Sequence, residues 1–246
     1  MMKLLFWNIQ GGIDTEGILN FLSKNKDIDI FCFQEVFDNG KCSRNVFEGS
    51  NMNLFCDLKK ELEKYDGYFS EHQTDEEGIV IFFRKEFKIM ETGNVFVHRY
   101  KNSMINNDGE EFGRNLQYIR FNSANKNYLV LNFHGLWNRN GKIDTIERII
   151  QSENILNVLK RFPKDRIILG GDFNLVPENK SLKIFEEFGL INLISKFGIT
   201  STRSKKYTKE VKFADYVFVS SEVKYLKFEV LENESSDHLP LYLEFE

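Results

Sequence analysis

The 246 residues carry 33 basic and 37 acidic side chains, a net charge of −4, which excludes a protein that coats nucleic acid through bulk electrostatics but not a local basic patch. An apolar fraction of 41%, with 24 Phe, is enough for a substantial core, and three prolines without a Ser/Gly-rich tract leave no linker. Cys32, Cys42 and Cys56 are odd in number and lack a CxxC spacing, which fits free thiols, and no run approaches the ~20 apolar residues of a membrane span, so a soluble cytoplasmic protein of one domain, 1–246, is expected.

Taken in order, Lys3 to Trp7 reads as a buried strand stopping at Asn8, followed by a Gln10-Gly11-Gly12 loop. Asp14 or Thr15 caps a helix over Ile18, Leu19, Phe21 and Leu22. Ile28 to Phe33 is a second buried strand, ending at Gln34-Glu35. Asp38 to Asn51 is a polar loop, and Met52 to Tyr65 is helical by the spacing of Leu54, Phe55, Leu58 and Leu62. Ile79 to Arg84 and Lys88 to His98 look like a pair of strands, and Lys101 to Gly113 is a long polar loop. Leu116 to Phe121 and Tyr128 to Phe133 make two more strands with residues 122–127 as their turn, the second ending at His134-Gly135-Leu136-Trp137.

Thr145 to Phe162 is an amphipathic helix stopped by Pro163. Next comes the most informative stretch, Arg166 to Asn174, a buried strand that two glycines end, followed by Asp172-Phe173-Asn174. By themselves this Asp and Asn are equally well read as turn residues that bond their own backbone. Ser181 to Phe188 is a short helix, Arg203 to Lys212 a basic loop, and Ala214 to Val219 a strand beginning around Asp215. Lys224 to Leu231 is another strand, and Ser235-Ser236-Asp237-His238 precedes a last one, Leu239 to Phe245. The order is neither that of an alternating barrel nor of a dinucleotide-binding sheet, and GxGxxG and P-loop motifs are absent. Two mixed sheets packed together with helices outside both are the layered solution.

Buried strands that end in Asn8, Glu35, His134, Asp172 with Asn174, Asp215 and Asp237-His238 are hard to explain by stability, since carboxylates at a sheet edge lose hydration unless paired or bound to a cation. Trp7-Asn8-Ile9, Gln34-Glu35, Gly171-Asp172-Phe173-Asn174, Ala214-Asp215-Tyr216 and Ser236-Asp237-His238 resemble, in order and approximate spacing, the endonuclease/exonuclease/phosphatase superfamily of DNase I-like phosphoesterases. The resemblance runs from Asn8 to His238 and implies an α/β fold, a four-layered α/β/β/α sandwich.

It also implies roles. Glu35 would be the main Mg²⁺ ligand with Asn8 beside it and Asp237 as a second ligand or a support; hard oxygen donors suit Mg²⁺, or Mn²⁺. Asp172 would orient or deprotonate the attacking water, and Asn174 would hold that water or a phosphate oxygen. His238 would donate to the phosphoryl oxygens, with Asp215 fixing its orientation and favouring its protonated form. His134 resembles a histidine that contacts the scissile phosphate or protonates the leaving group; it points away from abasic-site endonucleases. Gln10 stands where those enzymes carry an aspartate, which favours a one-metal mechanism. His72 and His98 read as surface or strand positions, and Cys32 as core.

For substrate contact, the basic loop carries Arg203, Lys205, Lys206, Lys209 and Lys212 against Glu210 alone and is either a phosphate-attracting segment or a solvated face. Tyr207 stacks on a base or packs on the protein; Trp137 walls the cleft or seals the core; Arg114 corresponds loosely to an arginine near the phosphate. The expectation is a Mg²⁺-dependent phosphodiesterase, a nuclease or nucleotide/DNA-end phosphodiesterase binding nucleic acid weakly through this loop, with no membrane and no obligate protein partner. Its alternatives are a phosphomonoesterase acting on a phosphorylated metabolite or lipid headgroup, and a catalytically silent phosphate-binding module.

Overall fold

The computed structural model describes residues 1–40, 48–72, 77–99, 113–138 and 140–246. Cys42, the middle of the expected 38–51 loop, nearly all of the 101–113 loop and Arg139 therefore lie outside the described residues.

Among the described residues, twelve strands form two six-stranded sheets. The first has the order β11 (Tyr225–Val230), β12 (Leu241–Phe245), β1 (Met2–Asn8), β2 (Ile30–Phe37), β4 (Glu77–Arg84), β3 (Tyr65–Glu71). The second has the order β5 (Ile89–His98), β6 (Arg114–Ser123), β7 (Lys126–His134), β8 (Arg166–Asp172), β10 (Asp215–Ser220), β9 (Leu190–Asn192). Each sheet holds one parallel pair near its centre, β1 with β2 and β7 with β8, and is otherwise antiparallel.

The apolar strand β1 explains the layering. Leu4 and Phe6 face a core shared with the second sheet and, through Ile155, Leu159, Leu182 and Phe185, with α3 (Ile146–Leu159) and α4 (Lys180–Glu187). Leu5 and Trp7 face the opposite core, closed by Ile18 and Leu22 of α1 (Thr15–Lys24) and by Leu54 and Leu58 of α2 (Leu54–Glu61). A strand buried on both faces is apolar at every position rather than at alternate ones. The result is the expected α/β/β/α sandwich, with DNase I-like topology. Among the described residues no helix is long and apolar enough to cross a membrane.

Local chemistry sets the boundaries. Asp14, not Thr15, caps α1, its carboxylate accepting from Gly17 N at 3.0 Å. The helix expected over Met52–Tyr65 ends at Glu61, and Tyr65–Glu71 instead forms the edge strand β3, whose exposed Asp66 and Gly67 hide its period. β4 and β5 follow each other in sequence yet lie in different sheets. The β6–β7 turn narrows from the six residues expected to Ala124 and Asn125, both at positive φ (49° and 61°), the backbone that a two-residue hairpin demands. Short β9 and α5 (Leu193–Lys196) were below the length at which periodicity can be read.

Candidate active site

The two parallel pairs create the site. Parallel neighbours deliver their carboxyl ends to the same edge: Asn8 lies opposite Gln34, and His134 lies opposite Asp172. β10 starts there as well, with Asp215 opposite Asp172. The segment entering β12 completes the edge: Ser236 Oγ donates to Asn8 O at 2.7 Å, and Trp7 Nε1 donates to His238 O at 2.9 Å.

Three backbone irregularities aim the side chains. Glu35 sits inside β2 rather than after it, at a bulge between Gln34 and Val36, with φ of 57°. A bulge inserts a residue and re-aims its side chain, here toward the sheet's end. β8 continues through Gly170 and Gly171 to Asp172, so the glycines do not end the strand. At Gly171 φ is 132° and a Cβ would lie 2.0 Å from Phe133 O, so only glycine fits. Asn174, at φ 54°, turns back so that its backbone N donates to Asp172 Oδ1 at 2.8 Å, while its Nδ2 donates to Gly135 O at 3.3 Å.

Asp172 is the node. Asn8 Nδ2 donates to its Oδ2 at 3.1 Å and to Glu35 Oε1 at 2.8 Å, tying the two carboxylates together. His238 Nε2 stands 3.5 Å from Asp172 Oδ2, and His134 Nε2 stands 3.8 Å from it. His134 Nε2 is also 3.8 Å from Glu35 Oε1. The far nitrogen of His238, Nδ1, meets Asp215 Oδ1 at 2.8 Å, and Thr202 Oγ1 donates to Asp215 Oδ2 at 2.8 Å. Asp237 is drawn aside by Arg203, whose Nη1 donates to its Oδ2 at 2.7 Å, leaving Oδ1 3.7 Å from His238 Nε2.

Behind His134 lies a second buried cluster. His72 packs edge-to-face on it with ring centroids 5.8 Å apart. Arg114 Nη1 reaches His72 Nε2 at 2.8 Å, and Glu77 Oε1 lies 3.6 Å from the same nitrogen.

The titrations follow from these neighbours. Burial, reinforced by Glu77, pushes Glu35 up to about 7 against the pull of the Asn8 hydrogen bond. Burial pushes Asp172 in the same direction, but His238, His134, Arg203 and Lys142 outweigh it and hold its carboxyl below the ordinary range. Burial and Arg203 act to lower His238; the Asp215 and Asp172 carboxylates prevail and raise it. Burial, then Arg114, pushes His134 well below the ordinary imidazole range.

Glu35, His134 and Asp172 each offer a ligand atom within 4.8 Å of the others. The donor set of carboxylate oxygens with a neighbouring imidazole fits a divalent cation. Burial and Glu77 disfavour the charged form of Glu35, a cost that a bound divalent cation would offset.

Every strand-end residue singled out in the sequence thus reaches one edge. Arg114, tied only loosely to the site by sequence, joins it through His72 and His134. Trp137 is half-exposed on the loop after β7, and Tyr207 lies under Arg203, whose Cζ is 4.2 Å from the ring centroid. His72, expected at a surface or strand position, is fully buried. Sequence reasoning also passed over Glu77, Lys142 and Thr202: Glu77 ends an acidic run that reads as a solvated turn, and Lys142 follows a polar, Gly-containing loop.

Solved structures share this architecture along the whole chain. The mannosyl-6-phosphatase of Bacteroides thetaiotaomicron aligns with a TM-score of 0.76 at 19% identity, covering 100% of both chains. The human Nocturnin catalytic domain with bound sulfate aligns at 0.71 and 19%, covering 100% of this chain and 93% of that one. D. rerio TDP2 complexed with a single-strand DNA product aligns at 0.71 and 18%, covering 100% and 98%. A comparison with curated proteins finds no match in sequence. The Endonuclease/Exonuclease/phosphatase family model matches residues 5–238, and the chain belongs to that family of phosphoester hydrolases.

Proposed function

We propose that residues 1–246 act as one Mg²⁺- or Mn²⁺-dependent phosphodiesterase domain that hydrolyses a P–O bond by in-line attack of water. The observation that carries this reading is the Asp172 carboxylate, shared between a tied acid (Glu35, through Asn8) and two histidines whose titrations are pushed in opposite directions. Glu35 is the principal cation ligand, and Asn8 positions it. The cation, when bound, supplies positive charge to the phosphoryl group. Asp237, engaged by Arg203, supports the centre from outside.

An acid held below its usual range is a weak base, so Asp172 orients the water by accepting its hydrogen bond. His238, kept protonated and fixed by Asp215, donates from Nε2 to the phosphoryl oxygens as charge builds there. His134, kept neutral, contacts the scissile phosphate through a hydrogen bond rather than by giving up a proton. Asn174 keeps one amide N–H for the same phosphate. Arg114 contributes positive charge behind His134. Trp137 forms the rim.

A diester suits the centre because Glu35, Glu77, Asp172, Asp215 and Asp237 surround it, and a singly charged phosphate meets less repulsion there than a dianion. Lys205, Lys206 and Lys209 are the exposed cations of the basic loop and attract a polyanion such as DNA or RNA weakly. Cys32 and Cys56, free among the described residues, support a reducing, cytoplasmic setting.

The test is turnover of bis(p-nitrophenyl) phosphate, p-nitrophenyl phosphate, an oligonucleotide and an inositol phosphate. Diesters are expected to exceed monoesters, and Asp172→Asn to lower diester turnover by about 10³. Monoester rates equal to or above diester rates establish the phosphomonoesterase instead. A variant within a few-fold of wild type removes Asp172 from the chemistry.

A further inference from the structure

One positive charge, Lys142, acts on Asp172 through its field and, among the described residues, makes no hydrogen bond or ion pair with the hydrolytic centre. Lys142 is half-buried, and its Nζ donates to Phe213 O at 2.7 Å, two residues before Asp215. Among the described residues it forms no ion pair with a carboxylate. Two further cations share its environment: Lys142 Nζ, Arg203 Cζ and Lys212 Nζ lie 5.0, 4.2 and 5.6 Å from the ring centroid of Tyr207.

The placement is built. Buried Arg148, on α3, donates from Nε and Nη2 to Leu136 O at 3.2 and 3.0 Å, from Nη1 to Gly141 O at 2.7 Å, and also to Ile143 O. Val176 N and Asn179 Nδ2 hold Lys142 O at 3.1 and 2.8 Å. A loop fixed at so many carbonyls has no need of an ammonium to staple it; a neutral donor would satisfy Phe213 O without the desolvation. Burial and Arg203 push Lys142 down to about 8, against the fields of Asp172, Asp215 and Asp237, which places it in electrostatic reach of the centre.

We infer that Lys142, backed by Arg203 and Lys212 around Tyr207, is a second anion subsite that binds another phosphate of the substrate beside the scissile one, on the Asp215 side of the centre. The inference rests on the phosphoester reading of that centre and narrows it to substrates with two phosphates: a nucleotide chain or a bisphosphorylated metabolite. Tyr207, in contact with cations, serves as their support and not as a base platform.

The test reads binding, so it does not depend on turnover. Affinities of thymidine 5′-monophosphate and thymidine 3′,5′-bisphosphate, and of glucose 6-phosphate and glucose 1,6-bisphosphate, are measured by calorimetry in Mg²⁺ and in EDTA. In at least one pair the bisphosphate should bind wild type about tenfold tighter, as one charge-assisted contact allows. Lys142→Met should bring the pair within twofold of each other, and Lys142→Arg should keep the preference. The nucleoside and sugar pairs separate the two substrate sources. No preference in either pair, or a preference that survives both Lys142→Met and Lys142→Gln, overturns the subsite. Equal loss for mono- and bisphosphate in those variants also overturns it, because it places Lys142 on the scissile phosphate. Wild-type preference without turnover of any phosphoester upholds the subsite while the hydrolase reading falls, so the two fail separately.

Discussion

His238 and His134 both approach one carboxylate oxygen, 3.5 and 3.8 Å from Asp172 Oδ2, and both are buried, yet their titrations are pushed in opposite directions. The difference lies at the far nitrogen. His238 Nδ1 meets Asp215, itself fixed by Thr202, and the Asp215 and Asp172 carboxylates raise the imidazole's pKa against burial and Arg203. Behind His134 stand Arg114 and His72, and burial leaves the ring neutral. Distance to the reacting centre therefore says little about a histidine's role; the partner one bond further out decides it.

The sharpest way to break the contrast is to give His238 a neutral neighbour. Asp215→Asn removes the anion and leaves the shape. Turnover of an aryl diester should fall by about 10²–10⁴, the range set by a lost acid contact. The sign of the pH change is fixed as well. In the proposed mechanism His238 acts in its protonated form, and its pKa then sets the alkaline limb of the rate profile. Without Asp215 that pKa drops, and the limb moves to lower pH. A profile whose alkaline limb stays in place would show that His238 is not the proton-bearing group.

How much of this was readable beforehand divides along a physical line. Elements whose apolar residues run through a core, such as β1, β2, β7 and β8, were legible because burial on both faces leaves an unbroken apolar run. Their polar termini, Asn8, Glu35, His134 and Asp172, stood out as residues that packing does not call for. The Glu35 bulge was not legible, because its cause is the register with β4 and not any local pattern. Edge strand β3 was lost to its exposed face. His72 and Glu77 were passed over for a different reason: each becomes meaningful only through Arg114 or His134, about forty or more positions away. Lys142 is the same case, a charge in a polar loop whose burial comes from Tyr207 and Phe213.

On the His134 side the partner to vary is Glu35, raised to about 7 by burial and then by Glu77. A cation must displace that proton, so Mg²⁺ affinity should fall by roughly tenfold per pH unit below about 7 and level off above it. Calorimetric titration between pH 5.5 and 8 reads this slope. Glu35→Gln should weaken binding and flatten the slope, and EDTA should abolish turnover of the wild type. Turnover that survives chelation separates the centre from any divalent ion.

His98 sharpens the comparison with the smallest effect. Like His134 it is buried and pushed down, to about 4, by desolvation first and then by Arg99 and Arg114, and its Nε2 has no hydrogen-bond partner among the described residues. Unlike His134 it has no contact with Glu35 or Asp172, so its titration should appear in stability alone. The folded pKa lies below the unfolded value of 6.5. The contribution is therefore complete above pH 6.5 and is lost as pH falls toward 4, because the unfolded chain takes up the proton first. A full shift of this size corresponds to about 3 to 4 kcal/mol, an upper bound that solvent screening reduces. Urea midpoints at pH 7 and pH 4.5 should converge in His98→Gln relative to wild type, with diester turnover at neutral pH unaltered. Equal acid destabilisation in both proteins would mean that other groups, not this imidazole, carry the proton uptake.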